Sequence, residues 1–220
     1  MTNLHAPMQQ NKLQNYDSKR GAEAYKADYQ QKLHRKLSDK RERALLAQIF
    51  REIGQVDSIL DLPCGHGRLS DFLRSHCRHL VSGDWSSTMV GLNKRDHEGE
   101  TGRSYVRASA LEIPLPDQSV DVVVSFRLSH HLETQDLRER HLRELFRVAR
   151  KHVVVTWFSA TSLKNLLRQV RVKLVGKKPK NVLRHADVRR VATAAGFTQH
   201  SARPLFLIGS GHILGHFTRS

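Results

Sequence analysis

A chain of 220 residues with 39% apolar and 26% charged positions can build one core of ordinary size and has too little material for two large domains. Its formal net charge of +16, from 37 Lys plus Arg against 21 Asp plus Glu, argues for an anionic substrate or surface. No stretch approaches the ~18 apolar residues of a membrane span, and the opening seven residues have no apolar core of the secretion-signal kind. The expectation is a cytoplasmic protein, peripheral at most to the inner membrane surface. Cys64 and Cys77 suit a reducing setting and are expected unpaired.

The charge is not evenly spread. From Lys151 onward there are 13 basic residues and one acidic residue, Asp187, so +12 of the +16 belongs to the last third of the chain.

In chain order, residues 1–15 are polar, rich in Gln and Asn, and expected as a disordered tail. Residues 16–57 form N-terminal helices. Ser38 is placed to cap the last of them, whose apolar face is Leu45, Leu46, Ile49, Phe50 and Ile53, with Gly54 as its stop. A cofactor-binding core follows over 58–157. Its first strand, 58–62, breaks into a turn holding Gly65 and Gly67, and a helix runs to about Ser75. A strand at 79–83 stops at Asp84, ahead of a helix at 88–94. A short strand at 104–107 leads into the proline-punctuated loop 109–118. The strand 120–125 is apolar without alternation, as in a strand covered on both faces. Thr134 caps a helix carrying Leu137, Leu142, Leu145, Phe146 and Val148, and a strand at 152–157 follows.

Strands alternating with helices imply an α/β fold with a doubly wound, mostly parallel sheet. After it come a basic insertion, 158–183, with an amphipathic helix over 161–175, and a C-terminal part, 184–220. That part comprises a helix to Ala195 and two strands, 197–203 and 212–219, that can pair as an antiparallel hairpin. Residues 16–220 read as a single domain.

In an open α/β sheet, ligands sit at the C-terminal ends of the strands, and glycines there let a ligand approach the backbone with no Cβ in the way. The turn after Asp61 is therefore a small-molecule seat. Asp61-Leu-Pro-Cys-Gly-His-Gly67, Asp84 at the next strand end, the loop from Ser109 to Gln118, the strand from Val120 to Ser125 and then His130-His131 together resemble the class I S-adenosylmethionine-dependent methyltransferases. The resemblance covers roughly residues 45–157.

The resemblance implies S-adenosylmethionine as cofactor. Its methionine part would lie against Asp61, Pro63, Gly65 and Gly67, its ribose hydroxyls on Asp84 and its adenine beside Trp85. Ser109, Ala110, Leu111 and Ser125 complete the set. A carboxylate can accept two hydroxyls or hold an ammonium, so the residue types agree. Two positions depart from the family pattern. Pro63 replaces the first glycine of the turn and has no N–H. Ser109 stands where an Asp often faces the adenine amine, which leaves its hydroxyl and the backbone of Ala110 and Leu111 for that contact.

Methyl transfer is an in-line displacement at an activated carbon, so positioning and water exclusion dominate. A hydroxyl acceptor also benefits from a base, for which His131 and His130 are the candidates. Arg127 is a candidate contact to the cofactor carboxylate or the acceptor. Arg168, Lys177, Lys178 and Lys180, in the basic insertion, are candidate acceptor contacts. The favoured acceptor is a small molecule, anionic or membrane-associated, such as a saccharide, lipid or metabolite, methylated on oxygen. The alternatives are RNA as substrate, against which aromatics are only 6%, and a non-catalytic binding or scaffold protein of the same fold.

A dinucleotide site fails at Ser70, where a third glycine belongs, and no phosphate-binding Gly-x-x-x-x-Gly-Lys-Ser/Thr loop is present. No metal is expected. His76-Cys77-Arg78-His79 has ligand types without a second zinc-like pair, and His212 and His216 share one face of a strand with no role foreseen.

Overall fold

The structure is a computed structural model and describes residues 33–159, 181–205 and 211–220. The expectations for the N-terminal tail and for the insertion helix, with Arg168, Lys177, Lys178 and Lys180, lie outside these residues.

Helix α1 spans Leu33–Ile53, so Ser38 lies inside it and not at its cap. Gly54 ends it at φ +76°, its N–H donating to the carbonyl of Phe50. Strand β1 is Val56–Asp61, and after the glycine turn α2 is a single short helix, Ser70–Arg74. Strand β2 is Cys77–Asp84 and α3 is Ser87–Asp96, capped by the Ser86 hydroxyl, which accepts from Met89 N. Then come β3 (Arg103–Arg107), β4 (Val120–Ser125), a 3₁₀ turn (Ser129–His131), α4 (Gln135–Val148) and β5 (Ala149–Phe158). Thr134 caps α4 as expected, its hydroxyl accepting from Leu137 N. The chain closes with α5 (His185–Ala194), β6 (Phe197–Pro204) and β7 (His212–Arg219).

The seven strands form one sheet in the order β3-β2-β1-β4-β5-β7-β6. The first five run parallel, and β7 is antiparallel to both β5 and β6. The change of direction follows from connection length, because a short loop can return only an antiparallel neighbour.

Both faces are covered, which is why β4 shows no alternation. Ile59, Val122, Val124 and Val154 face α1, packing with Leu45, Leu46, Ile49 and Phe50. Leu60, Val123 and Val153 face the other way, against Leu142, Leu145 and Phe146 of α4 and Val188 of α5. Each such fully buried side chain contributes roughly 1.5–3 kcal/mol. Asp121 is the exception within β4. Burial pushes its carboxyl up, but the side chains of Lys151 and Arg150 and the backbone N–H groups of Ser58 and Asp57 outweigh that and hold it below the usual range.

Both cysteines are free. Among the described residues no helix is long and apolar enough to cross a membrane.

Candidate active site

The point where the sheet's order reverses, between β1 and β4, opens a cavity at the strand tips. The main-chain course of its floor is fixed by hydrogen bonds. Leu62 N donates to the carbonyl of Val124, and Cys64 N donates to the carbonyl of Gly83, which draws the turn between β2 and β4. The Leu62–Pro63 peptide is cis. Gly65 takes φ +54°, and a Cβ there would meet no protein atom within 4 Å, so it would stand in open space. Gly67 has a different job. It lies off the cavity wall at φ +88°, where a Cβ would come within 2.3 Å of Asn93 Oδ1, so its freedom serves packing under the turn.

Asp61 and Asp84 both face the cavity. Asp84 organises it, with Oδ2 accepting from Gly65 N and Oδ1 from Ser86 N, each at 2.9 Å. One carboxylate thus ties the glycine turn to the start of α3. Asp61 is 2% exposed, and its Oδ2 is buried with no hydrogen-bond partner among the described residues. Burial is the main reason its carboxyl is pushed up to about 8. Asp84 adds to the rise and the nearby Arg68 opposes it. Among the described residues no cation meets that oxygen within hydrogen-bond distance, so a ligand cation would relieve its burial.

Trp85 lines the cavity, with Arg107 over its ring at 5.5 Å and donating from Nε to its carbonyl. Ser109, Ala110 and Leu111 line it too. Of the backbone expected to meet adenine, the Leu111 N–H already donates to the Ser109 hydroxyl oxygen at 3.2 Å. The hydroxyl proton of Ser109 is the donor left to the loop side chain.

Ser125 does not reach the cavity. It is buried against His141, whose ring burial pushes down to about 4 and so keeps neutral. A neutral imidazole has one N–H. The Ala110 carbonyl can only accept, so Nδ1 of His141 donates to it and Nε2 accepts from Ser125. His141 thereby positions the loop that the sequence assigned to the cofactor, a role with no local signal in the sequence.

His131 lines the cavity from the 3₁₀ turn, whereas His130 does not. The His130 ring packs edge-on to Phe158 and His212, and its carbonyl accepts from Asn181, so its candidacy as base is corrected to a packing role.

Arg127 lines the cavity at φ +60°, but its guanidinium is occupied. Nε and Nη2 reach Glu42 Oε1 at 2.8 and 2.6 Å, and Nη2 donates to the Ser38 hydroxyl. Arg68 meets the other oxygen of Glu42 at 3.0 Å and also pairs with Asp39. Glu42 is fully buried, so α1 clamps two cavity-wall arginines through one carboxylate. The sequence held a signal for this. Glu42 lies three and four positions before Leu45 and Leu46, on the apolar face of the helix, where an acid needs a partner.

An open doubly wound sheet with two acids and a glycine turn at its switch point defines a Rossmann-like fold with its ligand crevice at the strand tips. Residues 60–156 match the family described as a methyltransferase domain. The demethylmenaquinone methyltransferase of Clavibacter sepedonicus is 33% identical over 106 residues, 47% of this chain and 42% of that protein. The phthiotriol/phenolphthiotriol dimycocerosates methyltransferase of Mycobacterium tuberculosis is 31% identical over 113 residues, 49% of this chain and 42% of that one. The match thus spans less than half the length of these curated relatives. Among solved structures, magnesium protoporphyrin IX methyltransferase from Synechocystis PCC 6803, with bound S-adenosylhomocysteine, superposes with a TM-score of 0.76. The superposition covers 96% of this chain and all of that one, at 14% identity, a likeness of fold. The match to the methyltransferase-domain family thus lies over residues 60–156, and the likeness to the solved methyltransferase is one of fold.

The cofactor of that family fits the residues present. The unpartnered Oδ2 of Asp61 suits an ammonium, and the space beside Gly65 admits a ligand against the backbone.

Proposed function

We propose that the protein transfers the methyl group of S-adenosylmethionine to an oxygen of a small acceptor that is anionic or held at a membrane surface. The observation that carries this reading is Asp61, a buried, unpaired acid beside Asp84 on the wall of an open cavity. In this reading Asp61 holds the ammonium, Asp84 the ribose hydroxyls, and Trp85 and Ser109 border the adenine. The bound cofactor supplies an electrophilic methyl carbon.

The chain's own part is to orient the acceptor and keep water out. Phe126, Leu128 and Leu132 form an apolar wall that shields the reacting centre. His131, on the same cavity, takes the hydroxyl proton of the acceptor on a neutral ring nitrogen as the new bond forms. The +16 charge favours an anionic acceptor or surface, and Arg168, Lys177, Lys178 and Lys180 are proposed as contacts on that ground alone.

Calorimetric titration with S-adenosylmethionine, with NAD as comparison, tests the cofactor; heat with NAD alone would remove the reading. Incubation with methyl-labelled cofactor and separated lipid, metabolite and RNA fractions tests the acceptor. Label in lipid or metabolite supports the proposal, and label in RNA redirects it. Cofactor binding without transfer to any fraction would favour a non-catalytic role. His131→Ala is expected to lower turnover by roughly 10²–10⁴-fold with cofactor affinity unchanged, and wild-type turnover in that variant would remove His131 as the base.

A further inference from the structure

On the antiparallel flank of the sheet, three imidazoles and a carboxylate gather that the proposed reaction does not use. His152 on β5 and His216 on β7 lie on the face covered by α1, level with Val154 and Leu214 of the α1-facing core. His200 on β6 stands at the register shift opposite His216. The last turn of α1 brings Glu52 to them.

The distances are short. His200 Nε2 lies 3.0 Å from Glu52 Oε2, and His216 Nε2 lies 3.3 Å from His152 Nδ1. The rings of His200 and His216 have centroids 5.2 Å apart. One ligand atom from each of Glu52, His200 and His216 falls within 4.8 Å of the other two. His216 is 2% exposed, and its Nδ1 is buried without a hydrogen-bond partner among the described residues. Leaving a ring nitrogen buried and unsatisfied is costly unless something binds it.

We propose that Glu52, His200 and His216 hold one divalent transition-metal ion of the zinc class, with His152 orienting His216 and water completing the shell. Two imidazoles and a carboxylate are a donor set that zinc takes. Ligands about 2.0–2.1 Å from a tetrahedral ion stand roughly 3.3 Å from one another, a spacing the His200–Glu52 pair already approaches. The remaining gaps close by rotation of Glu52 and His200, whose side chains are 49% and 53% exposed and give the ion a way in.

Proton placement is consistent. The Nε2 proton that His200 donates to Glu52 moves to Nδ1, and Nε2 is left with its lone pair and no net proton lost. His216 Nε2–H donates to His152 Nδ1, which leaves the unpartnered Nδ1 as the ligand atom, the usual arrangement of a metal-bound histidine with an outer hydrogen-bond partner. A second group with ligand types, Asp71, His97 and Glu100, has the Arg103 guanidinium at 3.1 Å from Asp71 and 2.7 Å from Glu100, so a cation already sits there. The flank site would clip α1 to the C-terminal strands across 148 residues of chain.

The test uses the full chain freed of metal with a chelator and titrated with zinc chloride by calorimetry, with metal content and thermal midpoint followed in parallel. One zinc per chain is expected, with a midpoint that rises with zinc concentration. His200→Ala and Glu52→Gln, both at exposed positions, should each weaken that binding at least ~100-fold, and His152→Gln by about 10–100-fold as an outer partner. His79→Ala, at an exposed histidine of β2, should change nothing. S-adenosylmethionine affinity should stay at the wild-type level in all four, which also certifies their folding. No zinc uptake by the wild type, or uptake that survives both His200→Ala and Glu52→Gln, overturns the proposal.

Discussion

Asp61 and His216 have the same local condition and opposite settings. Each is 2% exposed, and each keeps one buried polar atom without a partner. Asp61 stands at the tip of a parallel strand, where the order of the sheet reverses and a cavity follows from topology alone. His216 lies within the antiparallel flank, on a face closed by α1, where no crevice is expected. The contrast teaches that an unpaired buried polar atom marks a ligand by different means in the two places. At the strand tips the fold supplies the opening and a short motif supplies the groups. On the flank, groups far apart in sequence must meet by packing.

The largest effect that would sharpen this comparison is at the clamp between α1 and the cavity. Glu42→Ala removes the shared partner of Arg68 and Arg127 and is expected to cost about 3 kcal/mol or more, read as a fall in thermal midpoint. A near-neutral result would mean that the two arginines are solvated and the clamp is incidental.

Gly215→Ala probes the flank alone. A Cβ there would come within 2.5 Å of Trp157 Cζ3 and 2.9 Å of Phe217 Cε2, so overpacking of about 1–3 kcal/mol is expected with cofactor affinity unchanged. Loss of cofactor binding at wild-type stability would break the separation between the two regions.

Asp84→Ala should weaken S-adenosylmethionine binding at least ~10-fold, or about 1.4 kcal/mol, by loss of charge-assisted hydrogen bonds and of the tie between Gly65 and Ser86. Unchanged affinity would count against the assignment of the crevice.

A pH dependence needs no substitution. The Asp61 carboxyl is raised from 3.8 to about 8 by burial, so between those values the folded protein holds a proton that the unfolded chain has released. Its contribution to stability is full below about 3.8 and is lost as pH rises through about 8. An ammonium ligand needs the ionised form, so cofactor binding at pH 6–7 should release close to one proton, with affinity rising by up to about tenfold per pH unit towards 8. Calorimetry in buffers of different ionisation enthalpy measures this, and Asp61→Asn should abolish it.

Much of the crevice was legible in the chain. Asp61, Gly65 and Asp84 fall within two consecutive strand-to-turn units, so periodicity and turn chemistry place them at neighbouring strand tips, and both acids face the cavity. Gly67, Ser125 and His130 have the right residue types at the right spacing, yet their side chains or packing lead elsewhere, to Asn93, His141 and Phe158. The direction of a side chain near a strand end depends on what packs behind it, which spacing does not encode. The use of Arg127 likewise depended on a helix 85 residues away.

By itself the sequence determined the order of strands and helices through the core, the parallel doubly wound arrangement and the two acids of the crevice, because these rest on interactions between near neighbours in the chain. Only the tertiary structure decided that His131 and not His130 reaches the cavity, that Glu42 holds two of its wall arginines, and that Glu52, His152, His200 and His216 meet. Those contacts join positions whose proximity arises when the sheet closes and the helices cover it, and no local pattern carries that information.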